Sequence, residues 1–297
     1  MLRLPTEKFV CLFAFVVLSL IPVPASLAQG PPIHTETALI TGFSVATRSF
    51  VQVIEKSGTP GELSATMVPV MLPYQVKPNH FVLIAAIPYL DMELETQNGL
   101  TLSNNGWGDL RLIGEYNILQ RDFPRLTHRA ILIGGIKFPT AEDDKPGLPP
   151  PMQLGTGSTD YTVGLVASRI GHRLGLYSDL KYTFKTEGND YEFGDALNYD
   201  LALGYRLLPV VYETYPAKQL NLFLEFNGLY TQKDRSNGEN VSDSGGHSLF
   251  LSPGIQWVPF KTALFEASVQ IPLFQNLNGD QLETDYTYLI GFRWLLY

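Results

Sequence analysis

The chain has 297 residues with 21 basic and 29 acidic side chains, a net charge of −8 and a single cysteine. Acidity of this degree argues against nucleic acid as a partner. One cysteine excludes both an intrachain disulfide framework and a cysteine-based zinc site.

At the N-terminus, Arg3 and Lys8 precede an apolar run over residues 9–21, followed by Pro22, Pro24 and the small-residue site Ser26-Leu27-Ala28. This is the pattern of a secretory signal peptide over residues 1–28, cleaved after Ala28. The run is shorter than the roughly 20 residues a spanning helix needs. Cys11 lies inside it and leaves with it, so the mature chain carries no thiol and a net charge of about −9. No long uninterrupted apolar run follows residue 28. A mature chain that crosses a membrane must therefore do so as a closed barrel, because lipid offers the backbone no other hydrogen-bond partners. Residues 29–40 read as a periplasmic lead-in and residues 41–297 as the barrel.

Hydrophobic alternation predicts about twelve strands, near residues 42–55, 62–76, 80–90, 107–120, 126–138, 158–170, 173–186, 190–208, 218–231, 246–258, 262–271 and 284–296. In the fourth, Leu110, Leu112, Tyr116 and Ile118 oppose Arg111, Glu115 and Asn117. In the seventh, Leu174, Leu176, Leu180, Tyr182 and Phe184 oppose Asp179, Lys181 and Lys185. The stretch 191–207 is the most regular: Tyr191, Phe193, Leu197, Tyr199, Leu201, Leu203, Tyr205 and Leu207 share one parity, and Asp195 is the only break in that apolar row. Leu220, Leu222, Leu224, Phe226 and Tyr230 face away from Asn221, Glu225 and Asn227 in the next strand, and Tyr286, Tyr288, Ile290, Phe292, Trp294 and Leu296 oppose Thr287, Gly291 and Arg293 in the last. The strands at 42–55 and 80–90 are apolar on both faces.

Short links at 76–79, 120–125, 171–172 and 259–261 mostly alternate with longer polar ones at 91–106, 140–157, 232–245 and 272–283, as periplasmic turns and external loops do in outer-membrane barrels. Residues 186–189 form a short link where a long one is expected. Tyr89, Trp107, Phe138, Tyr182, Tyr230, Trp257, Phe260 and Trp294 fall near strand ends, where aromatic girdles sit at the membrane interfaces. The fold class expected is all-β, a transmembrane antiparallel barrel in the outer membrane of a Gram-negative cell, with lipid around it. The terminal aromatic Tyr297 marks the last strand for the barrel-assembly machinery.

The segment Gly106-Trp107-Gly108-Asp109-Leu110-Arg111-Leu112, with Glu115-Tyr116 after it, resembles the strand signature of the MetA-pathway of phenol degradation family of outer-membrane proteins. Phe138-Pro139-Thr140 before an acidic loop, Leu251-Ser252-Pro253-Gly254-Ile255-Gln256, and the late stretches 267–279 and 286–294 are similar to further features of that family. The resemblance implies a barrel of about twelve strands that transports small, often hydrophobic or aromatic compounds. It brings no catalytic residues and does not establish phenol as the solute.

Chemistry has little foothold. His34, His80, His128, His172 and His247 are scattered, without metal-ligand spacing, and no Gly-x-Ser-x-Gly elbow is present. Neither metal nor other cofactor is expected, and no enzyme activity. His247-Ser248 is read as a polar pair at a strand start, though a lipid hydrolase would need such a pair.

The inward face carries Arg111, Glu115, Arg129, Asp179, Lys181, Asp200, Arg206, Glu225, Glu266 and Arg293. These candidates either pair across the lumen and partly close it, or line a permeation path. Ile113, Ile131, Ile133, Phe223, Leu229 and Leu264 share that face, which suits a narrow, partly apolar conduit. The loop at 140–157, with Glu142, Asp143 and Asp144, is either solvated or folded inward as a constriction or cation site. The expected function is passive entry of small, hydrophobic or aromatic molecules. A structural barrel without transport and a lipid hydrolase are the alternatives.

Overall fold

The computed structural model describes residues 31–38, 45–124, 126–211, 218–260 and 263–296. The expected signal peptide and Tyr297 lie outside the described residues. Within them the strands are β1 (Val45–Gly58), β2 (Gly61–Lys77), β3 (Phe81–Thr96), β4 (Thr101–Trp107), β5 (Arg111–Phe123), β6 (Leu126–Lys137), β7 (Asp160–Gly171) and β8 (Leu174–Phe184). They continue through two short pieces, β9 (Glu187–Gly188) and β10 (Tyr191–Glu192), to β11 (Ala196–Leu208) and β12 (Gln219–Thr231). After the short β13 (Arg235–Ser236) and β14 (Glu239–Asn240) come β15 (Gly246–Phe260), β16 (Ala263–Leu277) and β17 (Glu283–Leu296).

Every long strand pairs antiparallel with its neighbours in sequence, and β1 also pairs with β17 from Val45↔Leu296 to Ser57↔Glu283. That last pairing closes a twelve-stranded barrel in which β4 and β5 together make one strand, interrupted at residues 108–110. The alternation places side chains as the period of two requires. On β12, Asn221, Phe223, Glu225 and Asn227 are buried in the lumen while Leu222, Leu224 and Phe226 are exposed on the outer wall. On β11, Asp200, Ala202 and Arg206 are buried, and Leu203, Tyr205 and Leu207 face out. A barrel with an apolar exterior and with short turns at one end and long loops at the other is an integral outer-membrane protein.

The doubly apolar strand near 80–90 has a structural reason. Leu83 and Tyr89 of β3 face outward, while Val82 and Ile84 join Ile113, Ile131, Ile133 and Val166 in an apolar cluster inside the barrel. One face meets lipid and the other an apolar side of the lumen.

Three expectations about connections are corrected. Much of 91–106 is strand, since β3 and β4 form a hairpin from Tyr89↔Trp107 to Glu95↔Thr101. Much of 272–283 is likewise the end of β16. The long strand expected at 190–208 stops at residues 193–195, because Asp195 accepts the Tyr182 hydroxyl at 2.8 Å and the Lys185 backbone N–H at 2.8 Å. A Cβ on Gly194 would lie 2.0 Å from the Gln232 carbonyl oxygen, so the chain passes there only as glycine. Tyr191 and Glu192 instead pair with β9 and β13, and β14 completes a separate four-stranded sheet over the loop end. The link that looked too short at 186–189 is thus part of a longer external hairpin.

The outer face of β11 predicts its tolerance. Leu201→Arg at mid-strand is expected to cost about 2–4 kcal/mol in lipid. Asp200→Asn keeps a carbonyl acceptor for the Asn227 amide, which donates at 3.1 Å, and is expected to cost about 1 kcal/mol or less. Denaturant unfolding of both variants in phospholipid vesicles checks the difference.

Candidate functional site

The lumen is not empty. Residues 31–38, expected in the periplasm, run inside the barrel, with Pro32, Ile33, Thr35 and Ala38 buried. Glu225 on β12 accepts three successive backbone N–H groups, from Ile33 at 2.8 Å, His34 at 3.0 Å and Thr35 at 2.7 Å. An extended segment has no ladder of its own, and a fully buried carboxylate has no water, so each satisfies the other.

The remaining bonds fix the segment along the polar wall. Arg48 and Arg293 sandwich Glu266 at 2.8 and 2.9 Å and also donate to the Ile33 carbonyl at 2.5 Å and the Pro32 carbonyl at 2.7 Å. Gln256 donates to the Pro31 carbonyl at 2.9 Å, and His34 Nε2 and Ser268 Oγ lie 3.1 Å apart. Asp179 accepts the Glu36 N–H at 2.7 Å, while Lys181 lies 3.2 Å from Asp179 and 3.5 Å from the Glu36 carboxylate. Ser168 Oγ accepts the Ala38 N–H at 3.0 Å. Ile33 packs among Ile170, Tyr177, Ala202, Phe223 and Leu289, and Ala38 among the apolar cluster of β3, β5, β6 and β7.

The inward charges therefore fall into distinct groups. Asp179, Lys181, Glu225, Glu266 and Arg293 hold the segment. Asp200 sits opposite Asp179 in register and bonds Asn227. Arg129 pairs with Asp122 at 3.3 Å near the β5–β6 turn, and buried Arg206 donates to the Pro209 carbonyl at 3.1 Å at the end of β11. Arg111 and Glu115 line a cavity of about 340 Å³ on the loop side of the segment, together with Ile84, Ile113, Ile133 and the Glu36 side chain.

Sequence reading missed Arg48, hidden in a strand apolar on both faces, and missed the segment itself, whose short polar pattern resembles a linker. It also missed the rim. Asp109 accepts the N–H groups of Thr140 at 3.0 Å, Ala141 at 3.0 Å and Thr156 at 3.1 Å, tying together both ends of loop 138–159. Lys137 bridges Asp160 at 2.8 Å and Asp109 at 3.5 Å, and also donates to Thr156. The loop folds back over β2–β4, burying Met152 and Leu154 against Met92, Leu90, Leu94 and Leu102. The Asn104 side chain of β4 donates to the Met152 carbonyl at 2.9 Å and fixes the loop on that face of the hairpin. His247 and Ser248 point to opposite faces of β15: Ser248 is buried in the lumen, and the His247 ring packs against Tyr230 and Phe274.

With this geometry the comparisons are informative. The sequence model of the MetA-pathway of phenol degradation family matches residues 61–273. The chain belongs to that family. The match runs from the start of β2 into β16, so the segment at 31–38 lies ahead of it. Among solved structures, the COG4313 outer membrane channel from Pseudomonas putida F1 is similar over 90% of this chain and 100% of its own, at 13% identity and a TM-score of 0.66. The β domain of the Bordetella autotransporter BrkA is similar over 86% of this chain and 100% of its own, at 9% identity and a TM-score of 0.51. Both likenesses are of fold. No curated protein matches the chain.

Charge-assisted bonds contribute ~1.5–3 kcal/mol each, so losing even one shifts docking of the segment about tenfold. Glu225→Ala removes the acceptor of three, and single-channel recordings in planar bilayers are expected to show at least a tenfold rise in open probability. Asp109→Ala is expected to make the loop at 138–159 cleavable by proteinase K in intact proteoliposomes while the barrel stays resistant.

Proposed function

We propose that this outer-membrane protein passively admits small solutes with substantial apolar surface, aromatic ones among them. The observation that carries the reading is the division of the lumen. Its polar wall is occupied by the segment at 31–38, and the cavity beside it is bounded in part by Ile84, Ile113 and Ile133, with Arg111, Glu115, Lys181 and Lys185 around them. A wide water-filled pore for hydrophilic solutes would leave the polar wall open. Here a solute leaving water meets isoleucine side chains that replace its lost hydration, while the polar groups around them set its orientation. The family's description in terms of phenol degradation and the likeness to a channel fold support the same reading.

No catalytic step enters this mechanism. Neighbouring positions on a strand point to opposite faces, so the lipid-hydrolase alternative lacks a shared site for His247 and Ser248. We also propose that β17 is the strand recognised during barrel assembly, since its pairing with β1 completes closure.

Radiolabelled toluene uptake by intact cells lacking the protein, with and without complementation, tests the function. Faster entry in complemented cells is expected, and equal rates would leave a purely structural barrel. Ile113→Asn removes apolar contact worth ~1.5 kcal/mol, and toluene entry is expected to slow about tenfold relative to the native chain.

A further inference from the structure

On the inward face of β5, Arg111, Ile113 and Glu115 alternate along the cavity wall. Arg111 and Glu115 are four residues apart, so their side chains stand about 13 Å from one another along the strand. Ile113 lies between them, and Ile84 is its register partner on β3.

The charges around the cavity are unevenly matched. At its outer end Lys137 is held by Asp160 and Asp109, and Lys185 by Asp160 at 3.0 Å. Lys181, at the inner end, is held by Asp179 and Glu36. Arg111 makes no ion pair or side-chain hydrogen bond among the described residues, although it is exposed to the cavity and lies beside Lys137 in register. Lys185, in the loop after β8, has its pKa lowered by burial, against the pull of Asp160, with the Lys137 and Arg111 charges adding to the burial effect. The outer end of the cavity thus holds an excess of cation and a guanidinium with all its donors available. Glu115, also without an ion pair among the described residues, places a carboxyl group at the other end of the isoleucine surface.

We propose that the cavity is a binding subsite for small monocarboxylates with a compact apolar body, such as aromatic carboxylates. Arg111 takes the carboxylate in a two-pronged contact, and Ile84, Ile113 and Ile133 take the body. The planar guanidinium matches a carboxylate fork in a way an ammonium does not. The position of Arg111 beside Lys137 sets one orientation, with the carboxylate toward the external loops. The inference rests on the proposed entry of apolar solutes and narrows it to a chemical class.

The test is isothermal titration calorimetry of the refolded protein in lipid nanodiscs at pH 7.5, with empty nanodiscs as reference, using benzoate and benzyl alcohol as probes. The two share a ring and differ in charge. The native chain is expected to bind benzoate more tightly than benzyl alcohol. Arg111→Gln is expected to weaken benzoate about tenfold, Arg111→Lys less, and both to leave benzyl alcohol within about twofold. Heat-modifiable mobility on gels verifies that each variant is folded. Benzyl alcohol binding with no preference for benzoate, or benzoate binding indifferent to Arg111→Gln, overturns this inference and leaves the entry of apolar solutes standing. Binding of neither probe above the empty discs overturns both.

Discussion

In the hydrocarbon of a bilayer an unpaired peptide N–H has nothing to bond, and each one left open costs several kcal/mol. The pairing of β1 with β17 removes the two free edges that a sheet of this length would otherwise present. Everything else follows from that closure. Once the strands form a cylinder, every second side chain is committed to an enclosed space that lipid cannot enter, and its polar groups must find partners within it.

The segment at 31–38 is the answer to that demand on one side of the cylinder. Glu225, Glu266, Asp179, Arg48 and Arg293 come from five different strands, and peptide groups of the segment bond to four of them, all but Glu266, which the two arginines clasp. Buried charges are costly unless they are paired and hydrogen-bonded. Here a single extended peptide supplies donors and acceptors in the spacing that strand side chains require. The opposite side makes less of this demand, because β3, β5, β6 and β7 present aliphatic side chains between their polar ones. The unoccupied volume lies on the loop side of the segment, bounded in part by that apolar wall, and its chemistry follows from the unequal sharing of polar groups.

A similar logic governs the rim. The loop at 138–159 could have been a solvated acidic excursion, and its Glu142 and Asp143 are consistent with that in sequence. Asp109 instead gathers the N–H groups at both ends of the loop, and the Asn104 side chain and the apolar patch around Met92 give its middle a surface to cover. Loop composition reports solubility, whereas loop position depends on which unsatisfied groups lie within reach.

Period-two alternation by itself determined most of the barrel: twelve strands, their outward rows such as Leu222, Leu224 and Phe226, and the inward placement of Glu225, Asp200 and Arg293. Those properties are local, since a strand's two faces follow from its own backbone. Only the tertiary structure decided what the inward residues do. Glu225 and Arg111 carry the same sequence signature, a charge in an otherwise regular strand, yet one is fully buried beneath the N-terminal segment and the other faces a cavity. The break at residues 193–195 depends on Gln232 and Tyr182, and the role of residues 31–38 depends on strands up to 261 positions away. Faces are set by neighbours along the chain, while partners are set by closure of the barrel, which brings together residues that no pattern in the sequence connects.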